Sequence, residues 1–283
     1  MAQLFPRTEV GGVSVSRMII GSNWILGYSH RGPADEETIR KVNSTPAAIA
    51  DMLEVFLHAG VDTLMAPVNS SPLLIDGIKT AEDRTGQKII LVDTPAINVD
   101  DNAQARREAE MTIARSQQAG ATFCLIHHSS AEQLVNKNKR TIDRLPDYLQ
   151  MIRDHGMIPG LSAHMPELIL YSDANGYDVQ TYIQIYNCLG FLMQIEIEYI
   201  NKVIWNAQKP VMTIKPMAAG RVTPFVGLNF SWATIRPCDM VTVGCMTPTE
   251  AAEDIEISMA AFEKRLPKVV GRSSPSKTPI MVD

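Results

Sequence analysis

Several things are scarce in this chain, and each scarcity closes a class of function. None of its apolar runs approaches the roughly 20 residues a helix needs to cross a bilayer. No membrane partner is therefore expected. Its four cysteines, Cys124, Cys188, Cys238 and Cys245, form no CxxC pair. That excludes zinc-ribbon and iron–sulfur spacing and any disulfide framework. A reducing cytoplasm is the expected setting, and the opening MAQLFPRTEV carries no apolar core of a secretory signal. Basic residues are also short, with 26 Lys and Arg against 31 Asp and Glu, a net charge of −5. Nucleic acid is therefore not the expected partner. A small molecule is, and assembly into a homo-oligomer stays open.

What is present is a set of eight short apolar runs, at 18–21, 61–66, 88–93, 122–127, 158–162, 181–186, 211–215 and 240–244. Apolar throughout, they read as strands buried on both faces, as in a parallel sheet. Most are followed by a helix-like stretch. The clearest helix starts at Ser44 or Thr45 with Pro46 in its first turn, and Ile49, Met52, Leu53, Phe56 and Leu57 form one apolar face before Gly60. Others are expected over 72–85, 102–119 and 194–207, from Pro166, and from a capping box of Thr247 and Glu250 around Pro248. The 15 methionines read as core packing. Eight strand–helix units in 283 residues predict a single (β/α)8 TIM barrel. Residues 1–17 read as an N-terminal β-hairpin and 271–283 as an extended tail. Residues 22–44 read as a long first loop or lid, and 129–140 as a long solvated loop, with an anion-binding flap carrying Lys137, Lys139 and Arg140 as the alternative.

In such a barrel, chemistry sits where the strands end. The expected strand-end residues are Asn23, Asp62, Asp93, His127 or His128, His164, Lys215 and Gly244, with His30 reaching in from the lid. Adjacent His127 and His128 point to opposite sides of an extended chain, so one of them is expected to face the site. Imidazoles and carboxylates converging at one mouth suit a divalent metal such as zinc, manganese or iron, with His30, Asp93, His128 and His164 as the candidate ligands. Asp62, Asp93, His127 and Lys215 are the catalytic candidates, Lys215 either as a base or as a Schiff-base former. Trp24 and Tyr186 are candidates for a stacking platform.

In order along the chain, Val15-Ser16-Arg17 with Ile20-Gly21, Gly60-Val61-Asp62-Thr63, Leu125-Ile126-His127, Gly160-Leu161-Ser162-Ala163-His164, Asp178-Val179-Gln180 through Tyr186-Asn187, and Lys215-Pro216 with Gly220 resemble the aldo-keto reductase family. That resemblance implies hydride transfer from a nicotinamide cofactor by an Asp, Tyr, Lys and His. Asp62 matches the Asp and His127 the His. No tyrosine follows Asp62, and the third strand ends in Val92-Asp93-Thr94 where the resemblance implies a lysine. Ser162, Tyr186, Gly244 and Thr247 stand where the cofactor would be held. The last helix opens on Cys245, Met246 and Thr247, without the basic residues that suit a 2′-phosphate, so NADP is disfavoured. The reading is an aldo-keto-reductase-like barrel acting on a small polar carbonyl or carbohydrate-like substrate by metal-assisted, non-redox acid–base chemistry, as a lyase, isomerase or hydrolase. An atypical NAD(P)-dependent oxidoreductase and a non-catalytic metabolite-binding barrel are the alternatives.

Overall fold

The computed structural model describes residues 4–68 and 71–269. The eight apolar runs close into a barrel. Its strands, in chain order, are β3 (Met18–Gly21), β4 (Thr63–Ala66), β5 (Ile90–Asp93), β6 (Phe123–Ile126), β9 (Ile158–Ala163), β10 (Tyr182–Ile185), β11 (Val211–Ile214) and β12 (Met240–Val243). Every neighbouring pair is parallel, and β12 returns to β3 with Val241 opposite Met18. The (β/α)8 expectation is met, and so is the hairpin. Strands β1 (Arg7–Val10) and β2 (Val13–Ser16) pair antiparallel, with Val10 opposite Val13.

Alternation along each strand sorts the core into two shells. Ile19, Met65, Val92, Phe123, Leu125, Ile183, Met212 and Met240 point inward, and Val10 and Val15 of the hairpin join them. The intervening residues point outward and pack against the helices. Gly160 is required by this packing: a Cβ there would meet Leu125 Cγ at 2.6 Å and the Thr181 carbonyl oxygen at 2.8 Å.

The helices are capped as their sequences dictate. In α3 (Pro46–His58) the Thr45 hydroxyl accepts from Ala48 N–H, and in α4 (Pro72–Thr85) Ser71 accepts from Leu74 N–H. Asn102 caps α5 (Ala103–Gln118) in the same way. Helices α7 (Leu145–Asp154), α8 (Glu167–Asn175), α9 (Ile197–Asn206), α10 (Pro224–Thr234) and α11 (Pro248–Glu263) complete the outer ring. No helix of the described residues is long and apolar enough to cross a membrane.

Two loop expectations are corrected. The 22–44 segment carries helices α1 (Asn23–Leu26) and α2 (Pro33–Val42), the second starting on Pro33 and burying Ile39. The 129–140 segment carries the short helix α6 (His128–Ala131), one 3-10 turn, and strand β7 (Val135–Asn136), which pairs with β8 (Thr141–Ile142). Polar composition hid both. The expected tail at 271–283 lies outside the described residues.

Candidate active site

A cavity of about 570 Å³ opens at the C-terminal ends of the barrel strands. Ser162 and His164 enter it from the end of β9, because alternate residues share the inward face. Gly244 lines it after β12. A Cβ on Gly244 would lie 3.1 Å from Trp24 Cδ1, so glycine lets the indole of α1 lie against the mouth.

His127 and His128 both line the cavity, against the expectation that one would turn away. The chain has already left extended geometry there: His127 is the N-cap of α6 and His128 its first residue. Their ring centroids lie 4.1 Å apart, and the His128 ring stacks on that of His164 at 3.7 Å with 19° between planes. Ser129 N–H donates to His127 Nδ1 (3.4 Å), and the Ser129 hydroxyl lies 2.7 Å from the same nitrogen. With Nδ1 accepting, the ring proton of neutral His127 belongs on Nε2.

Lys215 follows β11 with φ 63°, and His30 of the lid has φ 55°. Left-handed backbone at two non-glycine residues costs about 1–3 kcal/mol each. The strained pair meet: Lys215 Nζ donates to His30 Nε2 at 2.9 Å. Burial pushes the Lys215 amine down to about 8. It also pushes His127 down to about 4 and His164 to about 3, the latter helped by neighbouring His128 and Lys215. His30 and His128 are lowered by burial and by the Lys215 charge. Four neutral imidazoles and one readily deprotonated amine therefore share the mouth at neutral pH.

Glu132 backs the His128–His164 pair, and sequence reasoning missed it. It lies in the segment read as a solvated loop. Its Oε1 accepts from the backbone N–H of His164 (2.7 Å) and Met165 (2.9 Å), and Oε2 stands 4.0 Å from His128 Nδ1. His128, Glu132 and His164 each offer a ligand atom, and these lie within 4.8 Å of one another. The signal was present as the i,i+4 pair of His128 and Glu132, legible only once α6 is known to be helical.

Four expected positions do not face the cavity. Asp62 precedes β4, so the strand places it at the opposite end, roughly 13 Å below the mouth. There it pairs with Arg7 at 2.9 Å, tying the hairpin to the barrel. Asp93 follows inward-facing Val92 and therefore points outward. Its Oδ1 accepts from Val68 N–H (3.1 Å) and Thr94 N–H (2.8 Å), and burial raises its pKa. Tyr186 also points outward, with its hydroxyl bonded to Thr234 (3.0 Å) and Asn201 (2.9 Å) and its ring on Phe230. Thr247 spends its hydroxyl on Glu250 N–H (3.2 Å) as the cap of α11.

That capping box shapes the far wall of the cavity. Glu250 Oε2 accepts from Met246 N–H at 2.7 Å, and Glu253 and Asp254 line the same side. The α11 N-terminus thus presents carboxylates, with two of its amide donors already engaged.

No family model matches the chain, and no curated protein matches it in sequence. Solved structures do match. A putative aldo-keto reductase from Pseudomonas aeruginosa aligns over 90% of this chain and 95% of its own, at 16% identity and TM-score 0.61. A glycerol dehydrogenase from Gluconobacter oxydans aligns over 96% and 99%, at 13% identity and TM-score 0.57. A dimeric archaeal Rubisco from Hyperthermus butylicus aligns over 93% of this chain and 66% of its own, at 12% identity and TM-score 0.53. The fold is aldo-keto-reductase-like. Likeness at this level extends to differently named enzymes, so function has to be argued from the site.

Proposed function

We propose that the chain is a metal-assisted, non-redox acid–base enzyme acting on a small polar carbonyl or carbohydrate-like substrate, in the lyase, isomerase or hydrolase classes. The observation that carries this reading is the group of His128, Glu132 and His164, with ligand atoms within 4.8 Å of one another, of which His128 and His164 line the mouth cavity. Two imidazoles and a carboxylate suit zinc, manganese or iron and leave coordination positions free for water or substrate. The imidazoles are neutral at pH 7, as ligation requires. Glu132, held by two backbone N–H groups, is the fixed member of the set. A bound divalent ion would polarise a carbonyl or acidify a bound water.

The remaining groups take roles from their protonation. His127 Nε2–H donates to a substrate oxygen. Lys215 is mostly cationic at pH 7, with about a tenth neutral. It stabilises a developing oxyanion and returns a proton, with His30 orienting its amine. These assignments replace Asp62 and Asp93, which lie outside the cavity.

Two observations weigh against nicotinamide redox chemistry at this mouth. Among the described residues, Tyr28 of the lid is the cavity's tyrosine, and it is half exposed. The α11 end presents Glu250, Glu253 and Asp254. These residues do not fit an anionic phosphate.

Cobalt(II) titration followed by visible absorption tests the reading without needing a substrate. The wild-type chain is expected to bind one equivalent with bands of a four- or five-coordinate site. Glu132→Gln, which keeps an acceptor for His164 and Met165, and His164→Ala should each weaken binding about 10-fold or more. An unchanged titration in both variants would remove the metal from these residues.

A further inference from the structure

The wall opposite the imidazoles is acidic. Glu250, Glu253 and Asp254 follow i, i+3, i+4 spacing and share the cavity-facing side of α11. Like charges at this spacing weaken a helix. Glu250 is engaged with Met246 N–H. Asp254 is only 3% exposed, lines the cavity, and has no hydrogen bond or ion pair among the described residues. A buried carboxyl without a partner is costly, and the charged neighbours that act on it are two more carboxylates, Glu250 and Glu253. Burial and those charges push it up to about 8.

The surroundings are built rather than loose. Buried Asn43 donates from Nδ2 to the Met246 carbonyl (3.3 Å) and the Trp24 carbonyl (3.4 Å), pinning the lid helix to the start of α11. Trp24, Cys245 and Met246 line this side with the carboxylates. An aromatic face and polarisable sulfur beside carboxylates suit an organic cation.

We infer that this lobe, centred on Asp254, is a subsite for an organic cation of the ammonium or guanidinium class, so that the substrate carries such a group at the end away from Lys215. The inference rests on the reading of this cavity as a substrate site. A single metal ion fits less well. Among the described residues, the His, Cys, Asp and Glu groups whose ligand atoms converge within 4.8 Å are His128, Glu132 and His164, and no set in this lobe. A guanidinium, with its five donors in a broad fork, reaches carboxylates that one small ion cannot. The lining of the cavity then carries both Lys215 and Arg221 and the carboxylates of α11.

Calorimetric titration of the full chain at about pH 8 with butylguanidinium, and with neutral N-butylurea, tests this. Butylguanidinium should bind and N-butylurea should not. Asp254→Asn should lose about 10-fold or more in butylguanidinium affinity. Because the substitution removes an unpartnered buried charge, it should fold with a Tm at least that of the wild type. Equal binding of both probes, or unaltered affinity in Asp254→Asn, would overturn the subsite. Neither probe needs metal or turnover. Failure here with intact cobalt binding leaves the acid–base reading standing, and the reverse result leaves the subsite standing.

Discussion

Lys215 and Asp254 are half-buried and buried groups of opposite kind, and each writes a separate signature into pH dependence. Lys215 is lowered by burial from 10.5 to about 8. An amine reagent such as trinitrobenzenesulfonate should therefore label it with a rate midpoint near pH 8, ahead of the exposed lysines. A midpoint near 10.5 would mean that the amine is solvated. Asp254 is a carboxyl raised from 3.8 to about 8. Between those values the folded state holds a proton that the unfolded state has released, so its contribution to stability falls as pH rises. The histidines have the opposite sign. His127 and His164 are lowered from 6.5, so they cost stability as pH falls through 6.5 toward 3–4. The window from about pH 6.5 to 8 thus separates Asp254 from them. Wild-type Tm should decline across it relative to Asp254→Asn. Parallel curves would place the Asp254 carboxyl in contact with water or a cation.

At the scale of elements, strand alternation decides which chemistry reaches the mouth. His164 and Ser162 were legible from sequence because β9 runs straight to its end and shares one parity. Asp93 and Tyr186 were not, because a continuous apolar run carries no mark of which alternate residues face inward. Asp62 was misplaced although the run 61–66 already sets it near the strand's beginning: its likeness to the reductase Asp put it at the mouth, against the direction of the strand. Glu132 was missed because α6 is a single turn, too short for periodicity to show. The barrel strands also tolerate little extra volume. Gly160→Ala would drive a methyl to within 2.6 Å of Leu125 Cγ. It should cost roughly 1–3 kcal/mol in urea unfolding at an unchanged m-value. A neutral result would mean that β6 and β9 can separate without loss. The lid is the other movable element. Its 28–33 stretch holds His30 against Lys215. Butylguanidinium binding should slow chymotryptic cleavage at exposed Tyr28, and unchanged cleavage would detach the lid from ligand binding.

For the whole molecule, eight apolar runs of suitable length and order were enough to predict the closed parallel barrel and its hairpin. Burial of both strand faces leaves a strong compositional mark, and helix caps such as Thr45, Ser71 and Thr247 leave a local one. The site is a long-range product of closure. His30, His128, Glu132, His164 and Lys215 span 186 residues of chain, from 30 to 215 inclusive, and only the barrel brings them together. Closure also sets an imidazole wall opposite a carboxylate wall in one cavity. The most direct test of the central claim is the metal content of the chain purified without an affinity tag or chelator. Near-stoichiometric zinc, manganese or iron is expected in the wild type, with its loss in His164→Ala. Metal-free wild-type protein after growth in supplemented medium, or equal metal in the variant, would contradict it.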